Sequence, residues 1–204
     1  MIFLASASPQ RALLLAKAGI AYDVVASAHD EEAIDGANPQ AVALERACHK
    51  ARGVGPAHLP RPWTTGDCLL AADTVTSLDG VLYGKPADNE DATRILSRLQ
   101  GTIHTVTTAH CCLVPAFSGR EEIQALAVSM AQVTMRAMSP EEIAAYVASG
   151  ESAGRSGAYA IQASGDRFVT DVQGSMDTVI GLHVATVCRL YQECTGTPLP
   201  MDVS

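Results

Sequence analysis

The chain has 204 residues, of which 48% are hydrophobic and 18% charged, and its 14 basic and 22 acidic side chains give a net charge of −8 with histidine neutral. This composition is typical of one compact globular chain and excludes a disordered or fibrous protein. The acidic balance argues against a broad basic face that holds nucleic acid. The longest clean apolar stretch, 12–16, is far shorter than the roughly 20 residues of a membrane-spanning helix.

The N-terminus and the cysteines indicate the compartment. Residues 1–8 lack the basic start and the long apolar centre of a signal peptide, so we expect a cytoplasmic protein with reduced thiols. None of the six cysteines forms a C-x-x-C pair, which argues against a structural zinc site. We expect a single domain over 1–204, with a proline-rich surface linker at 53–66 that is prone to disorder, and a frayed tail at 195–204.

Strands and helices alternate through the first half of the chain. In chain order, the predicted elements are a strand at 1–5, a helix at 9–18, a strand at 21–26, an acidic loop at 29–38, a helix at 39–52, a strand at 68–72 and a hairpin at 75–83. Ser8 and Asn38 are the predicted N-caps, and Gly19 and Gly53 end the two helices. Asp73 follows an apolar run, which places it at a strand end.

The second half continues the α/β pattern. In chain order, we expect a helix at 88–99, long paired strands at 102–114 and 123–135, a helix at 139–149, short strands at 158–162 and 168–172, and a closing helix at 179–194. Ser139 and Glu142 form a capping box in front of the second of these helices.

The loop between the first strand and the first helix suits a phosphate. It carries Ser6, Ser8 and Arg11, and the free N–H groups and positive dipole of the helix N-terminus meet there. The alternative is that Ser8 only caps the helix and that Arg11 is a solvated side chain.

Four other positions have both a functional and an ordinary interpretation. Asp73 would lie where open α/β sheets bind ligands, or it forms a turn. Glu31, in the acidic run at 30–32, would hold a divalent ion, or it belongs to a solvated loop. Lys85, between a glycine and a proline, is a fixed point charge or a solvent-facing lysine. The amide of Gln162 would read a nucleobase edge, or it belongs to an ordinary strand that places Tyr159 in the core.

In this order these pieces resemble the Maf family of nucleoside triphosphate pyrophosphatases. The matching stretches are LASASPQR at 4–11, DE at 30–31, ACHKA at 47–51, ADTV at 72–75, GKP at 84–86, GTIHTVTT at 101–108, EIAAYV at 142–147, GAYAIQ at 157–162 and GL at 181–182. The resemblance implies an elongated, twisted mixed sheet flanked by helices, in two lobes around a central cleft. It also implies hydrolysis of a nucleoside triphosphate to the monophosphate and pyrophosphate, with Mg²⁺ or Mn²⁺.

The resemblance also assigns roles by position. The expected catalytic residues are Asp73, Glu31, Lys50 and Lys85, of which Glu31 and Asp73 hold the metal. The expected substrate contacts are Ser6, Ser8, Gln10, Arg11, Thr74 and Gln162. The only partner expected is the nucleotide, without stable nucleic acid or membrane binding, and homodimer formation is left open.

The pairs at 73–74 and 161–162 stand as in the branch of the family that acts on dTTP and UTP, so we expect a house-cleaning enzyme for these or for modified pyrimidine nucleotides. Gln10, where that branch has arginine, predicts looser base selection. The other departures are Ala131, Gly154-Arg155-Ser156, Ala163 and His183. Two alternatives remain open: a pyrophosphatase that prefers a methylated purine nucleotide, and a non-catalytic nucleotide sensor that regulates septum formation.

Overall fold

The computed structural model describes residues 1–27, 34, 36, 38–161 and 167–201. In chain order, the elements over these residues are β1 Ile2–Leu4, α1 Pro9–Lys17, β2 Tyr22–Val24, α2 Pro39–Arg52, β3 Cys68–Leu78, β4 Val81–Tyr83, α3 Asn89–Leu99, β5 Ile103–Val114, β6 Ile123–Met135, α4 Pro140–Ala148, β7 Val169–Gln173, α5 Met176–Ile180 and α6 Val184–Thr195. Single 3-10 turns lie at Pro56–His58 and Ser156–Ala158. None of the helices described is long and apolar enough to cross a membrane.

The strands form one mixed sheet, which confirms the α/β prediction. Its order is β2-β1-β3-β5-β6-β7, and β4 pairs with β3 outside this path. β1 runs parallel to both β2 and β3, whereas the other pairs are antiparallel. The parallel pairs follow from the helical crossovers of the first half. A crossover brings the chain back to the end of the sheet at which the previous strand began, so the next strand runs in the same direction. The long strands β5 and β6 pair along their whole length, as predicted.

One edge of β3 is open at its centre. β5 covers the opposite edge from Leu69 to Ser77. On the open side, β1 pairs with β3 only as far as Leu70, and β4 begins to pair only at Thr76. Over the described part of the chain, no strand pairs with this edge between those two points. The gap is centred on Asp73.

Alternation along β3 distributes its side chains between two cores. Leu70 and Ala72 pack in the cluster built on α1 and α6, whereas Leu69 and Ala71 pack in the cluster built on α2. A third cluster lies around α3 and α4. Because successive side chains of a strand point to opposite faces, Asp73 continues the α2 face and Thr74 continues the α1 face.

Several predicted helix boundaries are confirmed by their capping contacts. Asn38 Oδ1 accepts from the N–H groups of Gln40 and Ala41 at 2.9 and 3.2 Å, and Gly53 follows the last residue of α2. The capping box of Ser139 and Glu142 forms with both of its hydrogen bonds. Ser8 occupies the N-cap position of α1, but its hydroxyl makes no capping bond.

Two predicted strand boundaries are wrong. The strand predicted at 68–72 and the first strand of the hairpin are one continuous β3, so Asp73 lies at mid-strand, opposite Ala109, and not at a strand end. A polar residue in a buried sequence resembles a strand end, although here the ladder to β5 continues through it. The strand predicted at 158–162 is a 3-10 turn followed by irregular chain as far as Ile161.

Three predictions for the connecting and C-terminal segments also need correction. The closing helix at 179–194 is broken into α5 and α6 at Gly181, whose φ is 122°. The linker at 53–66 is anchored, because the ring of Trp63 lies 5.6 Å from that of Phe3. The predicted tail is packed against the rest of the protein at Leu199, which is buried in the cluster of α1 and α6.

Candidate active site

A pocket of about 940 Å³ lies at the open edge of β3. It is lined by the loop before α1, the end of β2, α2, β3, the loop at 153–156 and the end of α5. The sequence-predicted site residues that line it are Ser6, Ser8, Gln10, Arg11, Lys50, Asp73, Thr74 and Lys85. Glu31 and Gln162 lie outside the described residues. The fold therefore brings together side chains from four distant parts of the sequence.

A buried ion pair lies at the centre of the pocket. The Nζ of Lys50, near the end of α2, lies 2.8 Å from Asp73 Oδ1 and donates a second hydrogen bond to the carbonyl of Ala72 at 3.1 Å. That carbonyl faces the strand gap, where β1 would otherwise pair. The exposed fractions are 8% for Lys50 and 6% for Asp73, so both charges are largely removed from water. The additional hydrogen bond to Ala72 helps to offset the free-energy cost of removing the two charges from water.

The pocket concentrates positive charge in an acidic protein. The pKa of Lys50 is lowered to about 8 by burial and by the charges of Arg11 and Lys85, against the opposing attraction of Asp73. Burial also lowers the pKa of Arg11. Lys85 itself is exposed at the rim of the pocket. A lysine whose charged form is disfavoured by two neighbouring cations is suited to a ligand with several negative charges.

Arg11 is held rigidly and is not a solvated side chain. Its Nε donates to the carbonyl of Gly181 at 2.9 Å, Nη1 donates to Ser6 Oγ at 3.0 Å, and Nη2 donates to Thr74 Oγ1 at 3.2 Å. Ser6 Oγ also accepts from the N–H of Ser8 at 3.2 Å, which orders the loop before α1. The guanidinium therefore joins this loop to β3 and to the end of α5.

A chain of hydroxyl groups continues from Arg11 and was not predicted from the sequence. Thr108 Oγ1 donates to the carbonyl of Thr178 at 2.7 Å and lies 2.9 Å from Thr74 Oγ1. Since Thr108 uses its proton on that carbonyl, it accepts from Thr74, which in turn accepts from Arg11. Gly181 allows this approach, because a Cβ there would lie 3.2 Å from Thr74 Oγ1. The glycine inside an apparently helical segment was the available signal.

The loop at 153–156 forms another wall of the pocket through a residue that the sequence did not single out for function. Ser156 Oγ accepts a hydrogen bond from the N–H of Thr76 at 2.8 Å and donates one to the carbonyl of Tyr83 at 3.0 Å. It therefore joins β3 to β4 beside the strand gap. Tyr159 is buried in the core around α3 and α4, as in its ordinary interpretation, and its hydroxyl lies 2.8 Å from His104 Nε2.

Asp73 provides one oxygen suited to a hard cation. Lys50 occupies Oδ1, whereas Oδ2 is buried and has no hydrogen-bond partner among the described residues. Mg²⁺ at phosphate sites takes one or two carboxylates and completes its shell with substrate oxygens and water. Over the same part of the chain, no group of three histidine, cysteine or acidic side chains could hold a metal. The residues present therefore fit a cation that shares its coordination with a ligand.

Comparison with known proteins agrees with the resemblance. A family model described as Maf-like protein matches residues 1–194. A protein of Anaeromyxobacter dehalogenans named dTTP/UTP pyrophosphatase is 39% identical over 201 residues, which cover 98% of this chain and 97% of the relative. Proteins with the same name from Anaeromyxobacter sp. strain Fw109-5 and from Myxococcus xanthus are 40% and 39% identical, over 98% and 100% of this chain and 92% and 97% of their own.

Proposed function

The chain belongs to the Maf family of nucleoside triphosphate pyrophosphatases, and we propose that its pocket at the open edge of β3 is where a triphosphate is hydrolysed to the monophosphate and pyrophosphate. The observation that carries this assignment is the buried Oδ2 of Asp73, which has no hydrogen-bond partner within the described part of the chain and lies in a pocket lined by Arg11, Lys50 and Lys85. A cleft between two lobes follows as part of the proposal. One lobe has the cores on α1, α2 and α6, and the other has the core on α3 and α4.

The charges suit a triphosphate, which carries about four negative charges near neutral pH. Arg11, Lys50 and Lys85 offset this charge locally, although the whole chain carries −8. The N-terminus of α1 adds N–H groups and a partial positive charge. Bound phosphates would offset the repulsion that Arg11 and Lys85 exert on Lys50, which favours a polyanion at this pocket.

Asp73 acts on the attacking water in this proposal. Hydrolysis at the α-phosphorus needs a water in line with the pyrophosphate leaving group, and Oδ2 would accept the proton of this water, bind the cation that activates it, or do both. Lys50 fixes Oδ1 and so orients the carboxylate. A divalent cation, when bound, would neutralise phosphate charge, and Asp73 with Glu31 are the residues that we propose hold it.

Base selection involves the face of β3 that carries Thr74. The relatives named dTTP/UTP pyrophosphatase support dTTP and UTP as preferred substrates. We assign this preference to Thr74, Gln10 and Gln162. The amide of Gln10 can donate and accept, and it lacks the charge of the arginine that we expect in the pyrimidine branch, so discrimination between bases is looser.

Pyrophosphate release from a panel of canonical and modified nucleoside triphosphates tests the proposal. We expect turnover of dTTP and UTP that excess chelator abolishes without changing the melting temperature. Asp73→Asn should lose it, whereas Asp171→Asn, on the exposed face of β7, should keep it. Nucleotide binding without turnover would indicate a sensor, and a preference for a methylated purine would contradict the assigned specificity.

A further inference from the structure

Two cysteines lie together on the side of the sheet that packs against α2. Gln124 of β6 donates from Nε2 to Cys48 Sγ at 3.2 Å and to Cys111 Sγ at 3.4 Å. Cys48 belongs to α2 and Cys111 to β5, and the shared donor brings their two sulfurs to the same point between the helix and the strand. Neither sulfur is in a disulfide. One amide nitrogen therefore bridges two thiols from separate elements.

Arg52 fixes the orientation of this amide. Its Nη2 donates to Gln124 Oε1 at 2.7 Å, so the NH₂ group of the amide must face the two sulfurs. Arg52 lies one helical turn after Cys48 on the same helix, which places a positive charge beside the pair. Amide donors and a nearby cation both favour a thiolate over a thiol.

The two members of the pair differ as an attacking and a resolving thiol differ. Cys48 is half-buried, whereas Cys111 has no exposed surface. The pKa of Cys48 is lowered to about 7 by the neighbouring Cys111 thiol and by Arg52 and Gln124, against the effect of burial. The neighbouring Cys48 and burial raise the pKa of Cys111.

We propose that Cys48 and Cys111 are a peroxide-reactive dithiol that closes reversibly to a disulfide between α2 and β5. The Cys48 thiolate attacks one oxygen of hydrogen peroxide, the O–O bond breaks, and the leaving hydroxide takes up a proton to give water and a sulfenic acid. Cys111 then gives up its proton and attacks Cys48 Sγ, and the S–O bond breaks with release of a second water. The two thiols are oxidised by two electrons and the peroxide is reduced.

The remaining cysteines provide the controls. Cys68, Cys112 and Cys194 are buried in the core on α1 and α6. Cys188 is half-buried like Cys48, but burial raises the pKa of its thiol. It is therefore matched to Cys48 in access and differs in the groups that contact its sulfur.

The test treats the purified protein at pH 7 with equimolar hydrogen peroxide, blocks free thiols with N-ethylmaleimide under denaturing conditions, and maps the peptides. We expect one linkage, Cys48 to Cys111, that dithiothreitol reverses and that Cys188→Ser leaves unchanged. Cys111→Ser and Cys111→Ala should instead accumulate a Cys48 sulfenic acid that dimedone captures. Circular dichroism of both variants establishes that they are folded, and Cys111→Ala serves if the serine variant is not.

Rates distinguish an activated thiol from one that is merely accessible. At pH 7 we expect Cys48 to react with iodoacetamide at least about fivefold faster than Cys188, and Gln124→Leu to reduce that advantage. Equal oxidation of Cys48 and Cys188 by peroxide, or the absence of the Cys48–Cys111 disulfide in the oxidised wild type, would overturn the proposal.

Discussion

Lys50 is the group whose titration we expect to govern activity just above neutral pH. Its ammonium is bonded to Asp73 and lines the pocket in which we propose that the phosphates bind, and its pKa is lowered to about 8. If the charged form is needed, kcat/KM for dTTP should fall about tenfold per pH unit above about pH 8, because the proton lost belongs to the free enzyme. Lys50→Arg keeps the charge at every pH of the assay, so its profile should stay flat to about pH 9.5.

The same lowered pKa has a calculable effect on stability. The folded protein binds the Lys50 proton less tightly than the unfolded chain, in which the pKa is 10.5. Stability from this group is therefore gained as the pH rises from about 8 to about 10.5, by about 3 kcal/mol at most. Other groups titrate in this range, so the quantity to measure is the difference between wild type and Lys50→Met.

Both effects can be measured on the same set of variants. Pyrophosphate release at subsaturating dTTP and constant free metal gives the activity profile, and urea unfolding at pH 7.5 and 10 gives the stability difference. Lys17→Met, on the exposed end of α1, is the matched control and should behave as wild type in both. A wild-type profile without a fall above pH 8, or a parallel fall in Lys50→Arg, would refute the reasoning.

Three further substitutions test the rest of the site. Asp73→Asn should lower kcat about a hundredfold or more in the pyrophosphate assay and move the melting temperature little, since the amide keeps the size of the carboxylate; a fully active variant would make Asp73 structural. Gln10→Arg should increase the ratio of kcat/KM for dTTP to kcat/KM for other nucleotides by a factor that corresponds to about 1–3 kcal/mol. An unchanged ratio would contradict the role of Gln10 in base selection. Gly181→Ala should cost about 2 kcal/mol or more in urea unfolding, because its φ of 122° is strained for alanine and its Cβ would lie 3.2 Å from Thr74 Oγ1; Gly150→Ala, with a φ of 79° and no described atom within 4 Å of its Cβ, should cost less, and equal costs would contradict this reasoning.

The ends of helices could be predicted where particular residue types mark them. Asn38 and Gly53 bound α2 because a side-chain oxygen and a glycine satisfy the needs of helix termini, and the capping box marks the start of α4 in the same way. The long strands β5 and β6 were predictable because β-branched residues and alternation persist over many residues. These signals are local, so they survive without knowledge of tertiary contacts.

The errors arise where tertiary contacts override local signals. Asp73 resembles a strand end because a carboxylate is rarely buried, yet β5 continues to pair with it and Lys50 compensates its charge. The closing helix keeps its apolar pattern across Gly181, so periodicity did not reveal the break. Thr108 could not be singled out, since a threonine within a strand is ordinary and only its contacts with Thr74 and Thr178 distinguish it.

The alternation of Asp73 and Thr74 makes the two tasks of the site separable in evolution and in protein engineering. Substitutions in β5 reach Thr74 through Thr108 and leave the carboxylate with its own neighbour on α2. If the roles that we propose for Thr74 and Asp73 hold, a lineage can change the nucleotide it accepts by altering one side of a single strand while the other side is inherited unchanged. An insertion of one residue upstream in β3 would instead exchange the two faces, and both tasks would be lost in the same step.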